Sequence, residues 1–137
     1  MRSPLVLLVE DEALIALALT DDVETAGYDV AGPFHRVRDT LAWLEQHTPD
    51  VAIIDIQLRD GSSIDLARVL RERGVPFIVF SGEKRDRRSP DAFEGGRWLS
   101  KPVGTRQLLD TLAELVRPRL PGCPSLAADA SPPICAL

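Results

Sequence analysis

Three short apolar runs constrain this chain more than any other feature: PLVLLV at residues 4–9, VAIID at 51–55 and PFIVF at 76–80. None of them alternates polar with apolar residues. A strand with one wet face has to alternate, so each run reads as a strand covered on both faces, as in a parallel sheet between layers of helix. Weaker strands are expected at YDVAG (28–32) and RWLS (97–100).

Helical spacing fills the intervals. Ile15, Leu19, Val23 and Ala26 form one stripe, with Gly27 as its C-terminal stop. Val37, Leu41 and Leu44 form a second. Ile64, Ala67 and Leu70 form a third, closed by Gly74 and Pro76. Leu108, Leu112 and Leu115 form the last, ending before Pro118. The charged segment GEKRDRRSPDAFEG holds Pro90 and has room only for a short or irregular fourth helix, around 90–94. Five strands alternating with helices predict a doubly wound α/β sheet.

Composition narrows the function. The formal net charge of −5 lacks the basic footprint of a general nucleic-acid binder. The apolar run Leu5–Val9 is too short for a signal-peptide core or a membrane span, so a cytoplasmic protein is expected. Cys123 and Cys135 form no metal-binding pattern and are read as free tail thiols. His35, on an expected helix, and His47, on a loop, are read as solvated surface residues. Residues 1–118 are expected to form one domain. Residues 119–137, rich in Pro, Ala and Ser, are read as a flexible tail too short for a helix-turn-helix output domain.

In open α/β sheets chemistry gathers at the carboxyl ends of the strands. Those ends carry Glu10, Asp11 and Glu12 after strand 1, Asp55 at the end of strand 3, Ser81 after strand 4 and Lys101 after strand 5. Converging carboxylates repel each other, and a divalent cation relieves the repulsion. Oxygen donors favour magnesium. Lys101 suits a phosphoryl oxygen, Ser81 can donate to another, and Asp55 is then a nucleophile in a site shaped for a phosphoryl group.

From Leu5 to Arg117 the chain resembles a response-regulator receiver domain of two-component signalling. LLVEDE resembles the acidic pair (Glu10, Asp11), IIDIQLRDG the phosphoacceptor segment (Asp55), VFSG the switch-hydroxyl segment (Ser81, Gly82) and WLSKP the Lys-Pro segment (Lys101), with Trp98 at the aromatic switch position. The resemblance implies a flavodoxin-like sheet of order 2-1-3-4-5. It also implies phosphoryl transfer to Asp55 from a histidine kinase or phosphotransfer protein, with intrinsic transfer and autodephosphorylation chemistry but no classical enzyme activity. Magnesium would be held by Asp11, Asp55 and the Gln57 main-chain carbonyl, with Glu10 mainly behind them. Output would pass by contact with a separate protein, with the receiver itself a monomer or weak dimer and no part for nucleic acid or membrane.

The sequence departs from that pattern in four places. Arg59 stands where many receivers have proline, so a less rigid loop is expected. Trp98 is larger than the usual Tyr or Phe, and Val103 replaces a common aromatic. The charged span between Ser81 and Lys101, with its KRDRR run, puts a regular fourth helix and a dimer through it in doubt, as in stand-alone receivers with a Ser/Thr-Gly segment. Two other readings compete. A haloacid-dehalogenase-type phosphohydrolase would need a second acid where Gln57 stands, and a cap domain. A non-phosphorylated pseudo-receiver adaptor would keep the fold with the switch disabled.

Overall fold

The computed structural model describes residues 3–58, 60–81, 96–101 and 104–116. Its main sheet holds five parallel strands: β1 (Leu5–Val9), β2 (Asp29–Phe34), β3 (Val51–Asp55), β4 (Phe77–Ser81) and β5 (Arg97–Ser100). Their spatial order is β2-β1-β3-β4-β5, the flavodoxin-like order that the family resemblance implies. Four helices are described: α1 (Ala13–Thr25), α2 (Val37–Leu44), α3 (Ile64–Glu72) and α4 (Thr105–Val116), the last being the fifth of the sequence pattern. The expected short helix around 90–94, the KRDRR run, Arg59, Pro102, Val103 and the segment 119–137 with both cysteines lie outside the described residues.

The missing alternation in the apolar runs has a direct cause. Successive side chains of a strand point to opposite faces, and both faces are covered. Leu7, Val9, Ala52, Ile54, Phe77 and Val79 pack with α2 and α3 through Leu44, Leu66 and Leu70. Val6, Leu8, Ile53, Ile78 and Phe80 pack on the other side with Val23 of α1 and Leu108 and Leu112 of α4. All five residues of β3 are buried, Asp55 included.

Some boundaries differ from the sequence expectation. Strand β2 starts and ends later than YDVAG, running through Pro33 to Phe34. Ala26 is exposed and serves as the C-cap of α1 rather than as part of its buried stripe, while Ala16 takes the inner position. Gly27 and Gly74 both have positive φ, 100° and 71°, as the chain-reversing residues after α1 and α3. His35 lies in the turn between β2 and α2, not on a helix.

The first two turns of helix α1, Ala13 to Leu19, are apolar all round, and their outward residues Leu14 and Leu17 are 83% and 67% exposed. The two kinds of leucine predict opposite responses. Leu112→Ala, at a fully buried site, lowers unfolding free energy by about 2–5 kcal/mol. Leu14→Ala changes it by no more than about 0.5 kcal/mol. Urea denaturation followed by circular dichroism measures both.

Candidate functional site

The order of strands places the site. From β1 the chain steps outward to β2 and then crosses to β3 on the other side, so β1 and β3 flank the point where the winding reverses, and a crevice opens beyond their carboxyl ends. Register pairs Val9 with Ile54. The next residues along, Glu10 and Asp55, therefore stand side by side at the mouth of the crevice. Phe80 pairs with Asp55 and Ser81 with Ser100, which puts Ser81 one step past Asp55 and Lys101 immediately beyond β5.

Glu10 and Asp55 are 1% and 6% exposed, which is costly for two carboxylates without compensation. Lys101 supplies it, although β5 is two strands away from β3, roughly 10 Å at ordinary strand spacing. Its ammonium donates to Asp55 Oδ2 at 2.9 Å and to Glu10 Oε1 at 3.2 Å. Glu10 is held further by its own turn. Its N–H donates to Phe34 O, its Oε1 accepts from the Glu12 N–H at 3.2 Å, and its carbonyl lies 2.8 Å from His35 Nδ1. The sequence predicts a solvated surface role for His35. It is exposed, yet it also braces Glu10.

One ammonium does not balance the acids. Oxygens of Glu10, Asp11 and Asp55 all lie within 4.8 Å of one another. Glu10 Oε2 is 3.1 Å from the Lys101 nitrogen but out of line for a hydrogen bond, and it has no hydrogen-bond partner among the described residues. A buried carboxylate oxygen left over beside two further carboxylates fits a hard divalent cation. Burial raises the pKa of Glu10 above its usual value and the charge of Asp55 adds to the rise, against the opposing pull of Lys101. Burial works to lower the pKa of Lys101, but its bonds to Asp55 and Glu10 outweigh that and raise it, which keeps the ammonium charged.

The remaining expected residues are placed in part. The backbone of Gln57 opens a two-residue antiparallel ladder with 61–62, two positions past Asp55. The backbone of Ser81 ends β4. The side chains of Gln57 and Ser81, and the whole of Gly82, lie outside the described residues. Trp98 is half-buried on the sheet face that carries α2 and α3 and packs against their cluster. Two further residues had no sequence signal. Asp60 caps α2 from the loop after β3, and Ser63, fully buried, donates from both N–H and hydroxyl to Ile56 O.

The raised pKa of Glu10 carries a sign. A carboxyl whose folded pKa lies above its unfolded value favours folding when protonated, and that contribution is lost as pH rises through the folded pKa. Without metal, Glu10→Gln gains stability relative to the parent protein between about pH 4 and pH 7. Paired urea melts in chelator at the two pH values measure this.

The geometry can be set beside known proteins. The sequence profile described as the response regulator receiver domain matches residues 6–113. The transcriptional regulatory protein PdtaR of Mycobacterium tuberculosis is 30% identical over 111 residues, covering 78% of this chain and 54% of that protein. PhoP of Escherichia coli is 27% identical over 116 residues, covering 82% and 52%. The chain thus spans about half the length of these curated relatives. Among solved structures, the CheY-like response regulator receiver domain protein of Methanospirillum hungatei superposes with a TM-score of 0.76 at 25% identity, covering 85% of this chain and 95% of that one. The receiver domain of PhyR from Erythrobacter litoralis gives 0.74 at 29%, covering 84% and 91%. No helix among the described residues is long and apolar enough to cross a membrane. With the profile spanning most of its length, the chain belongs to the response regulator receiver domain family.

Proposed function

We propose that this receiver accepts a phosphoryl group on Asp55 from a histidine kinase or phosphotransfer protein, in the cytoplasm, and signals by phosphorylation-dependent contact with another protein. The observation that carries the reading is Asp55 itself, a strand-end carboxylate at the reversal of the sheet with the Lys101 ammonium 2.9 Å from Oδ2. Residues 1–118 form the receiver unit in this reading and 119–137 a tail appended to it.

The Asp55 carboxylate acts as nucleophile. One oxygen forms a bond to phosphorus as the bond from phosphorus to the donor's nitrogen or oxygen breaks, and the donor leaves with that electron pair. Water later attacks the acyl phosphate, returning the carboxylate and releasing phosphate. A bound magnesium ion supplies charge neutralisation for the phosphoryl oxygens. Asp11, Asp55 and the Gln57 carbonyl would hold it, and Glu10, with its leftover oxygen in the cluster, stands as a further support. Lys101, Ser81 and Gly82 receive the phosphoryl oxygens, and Trp98 responds from its half-buried place on β5.

Energetics limit what any one of these contacts can do. Turning a mostly inactive population into a mostly active one takes roughly 3–5 kcal/mol of differential stabilisation. A single charge-assisted hydrogen bond yields only about 1.5–3 kcal/mol. Lys101 is already bonded to Asp55 and Glu10 in the resting site, so only the difference between old and new partners drives the switch. Ser81 and its neighbours supply the rest.

Incubation with acetyl phosphate and magnesium adds one phosphoryl group by intact mass spectrometry, and the adduct disappears in Asp55→Asn and in chelator. Failure of the parent protein to take the group, together with failure to bind a fluoride-beryllium mimic, would overturn the phosphoacceptor reading. Magnesium at a hundred times its Kd raises unfolding free energy by about 2.7 kcal/mol. Asp11→Asn needs a higher magnesium concentration for the same rise, measured as a thermal shift without phosphodonor.

A further inference from the structure

Helix α2 has no side-chain cap of its own, since Arg36 at its N-cap position makes no such bond. The cap comes from far along the chain. Asp60 Oδ1 accepts the Val37 N–H at 2.8 Å and Oδ2 accepts the Arg38 N–H at 3.1 Å. Those two bonds, the one from Val37 first, hold the Asp60 carboxyl below its usual pKa. Asp60 stands at the tip of a hairpin that starts two residues after the phosphoacceptor, with Gln57 opposite Ser62 and Leu58 opposite Gly61.

The hairpin is fixed at three points. Ser63 closes its base on Ile56 O, at 3.2 Å from N–H and 3.1 Å from the hydroxyl. Leu58 is buried in the cluster beneath α2 and α3. Asp60 ties the tip to α2. Of these three residues only Asp60, among the described residues, hydrogen-bonds to a helix other than the one that follows the hairpin, and the pairing of Gln57 with Ser62 and of Leu58 with Gly61 joins the two arms behind it. The residue before it in the sequence is Arg59, at the position where many receivers have proline.

We propose that Asp60 is a positioning residue of the phosphoryl-transfer site: seated on the N-terminus of α2, it holds the acceptor hairpin in the form that keeps the Gln57 main-chain carbonyl available to the metal. The inference rests on the reading of Gln57 given under Proposed function. A merely structural role for Asp60, as a cap that stabilises α2, is separable because α2 has an equivalent clamp at its other end. Arg73 donates to Leu44 O and to His47 O just beyond it, and neither partner belongs to the hairpin.

The test compares Asp60→Ala, Asp60→Asn and Arg73→Ala in the full chain. The readouts are magnesium affinity by titration calorimetry without phosphodonor, and hydrogen exchange of the amides of residues 58–63 without metal. Asp60→Ala is expected to weaken magnesium binding and to quicken hairpin exchange, each by about 3- to 30-fold, the range that loss of one helix cap corresponds to. Asp60→Asn, which keeps an acceptor on the helix end, recovers most of both. Arg73→Ala leaves magnesium affinity within about twofold. Unchanged affinity in Asp60→Ala, or an equal loss in Arg73→Ala, overturns the proposal. A parent protein that binds magnesium but takes no phosphoryl group overturns the phosphoacceptor reading alone, because neither readout for Asp60 depends on phosphorylation. A parent protein that binds no magnesium overturns both the metal reading and the role of Asp60 in it.

Discussion

The site is organised around one ammonium. Lys101 reaches from the end of β5 to two carboxylates at the ends of β1 and β3, 2.9 Å from Asp55 and 3.1 Å from the nearer oxygen of Glu10. Removing one partner of such a buried group leaves charge without compensation, which costs far more than the intact pair contributes. The contact therefore does more to dictate geometry than to add stability. It fixes β1, β3 and β5 at their carboxyl ends relative to one another, and among the described residues it leaves the acidic cluster one cation short. That deficit makes the pocket receptive to further positive charge.

Burial on both faces of the sheet makes this arrangement possible. Hydrophobic packing of β1, β3 and β4 against two layers of helix holds the strands in register, so that their ends form a rigid rim. The segment after Asp55 is tied down by the same logic carried past the end of β3. Leu58 continues the core beyond Asp55, and Ser63 satisfies the carbonyl of Ile56, which would otherwise be left without its partners.

Helix α2 is bound at both ends by residues flanking α3. Asp60 covers two of its free N–H groups and Arg73 its last carbonyl, so a negative charge meets the positive end of the helix and a positive charge the negative end. Neither interaction has a local pattern. Asp60 is 23 positions from Val37 and Arg73 is 29 from Leu44. The buried hydroxyls of Thr40 and Thr111 were missed for a different reason. Each lies in an apolar stripe by position but not by residue type, and each satisfies its oxygen by donating to the carbonyl four residues back.

By itself the sequence determined the sheet and the location of the chemistry. Apolar runs without alternation can be buried only between two layers, and the polar residue that follows each strand must then lie on the rim, which is why Glu10, Asp55, Ser81 and Lys101 can be assigned to one edge from the sequence alone. Tertiary structure alone decided which of these groups touch. That Lys101 serves both Glu10 and Asp55, that Glu10 keeps an oxygen to spare among the described residues, that His35 braces Glu10 and that Asp60 caps a helix beginning 23 residues before it all depend on the relative placement of separate elements. Periodicity reports the burial of one element at a time, whereas contacts between side chains from different elements follow from packing distances that no local pattern encodes.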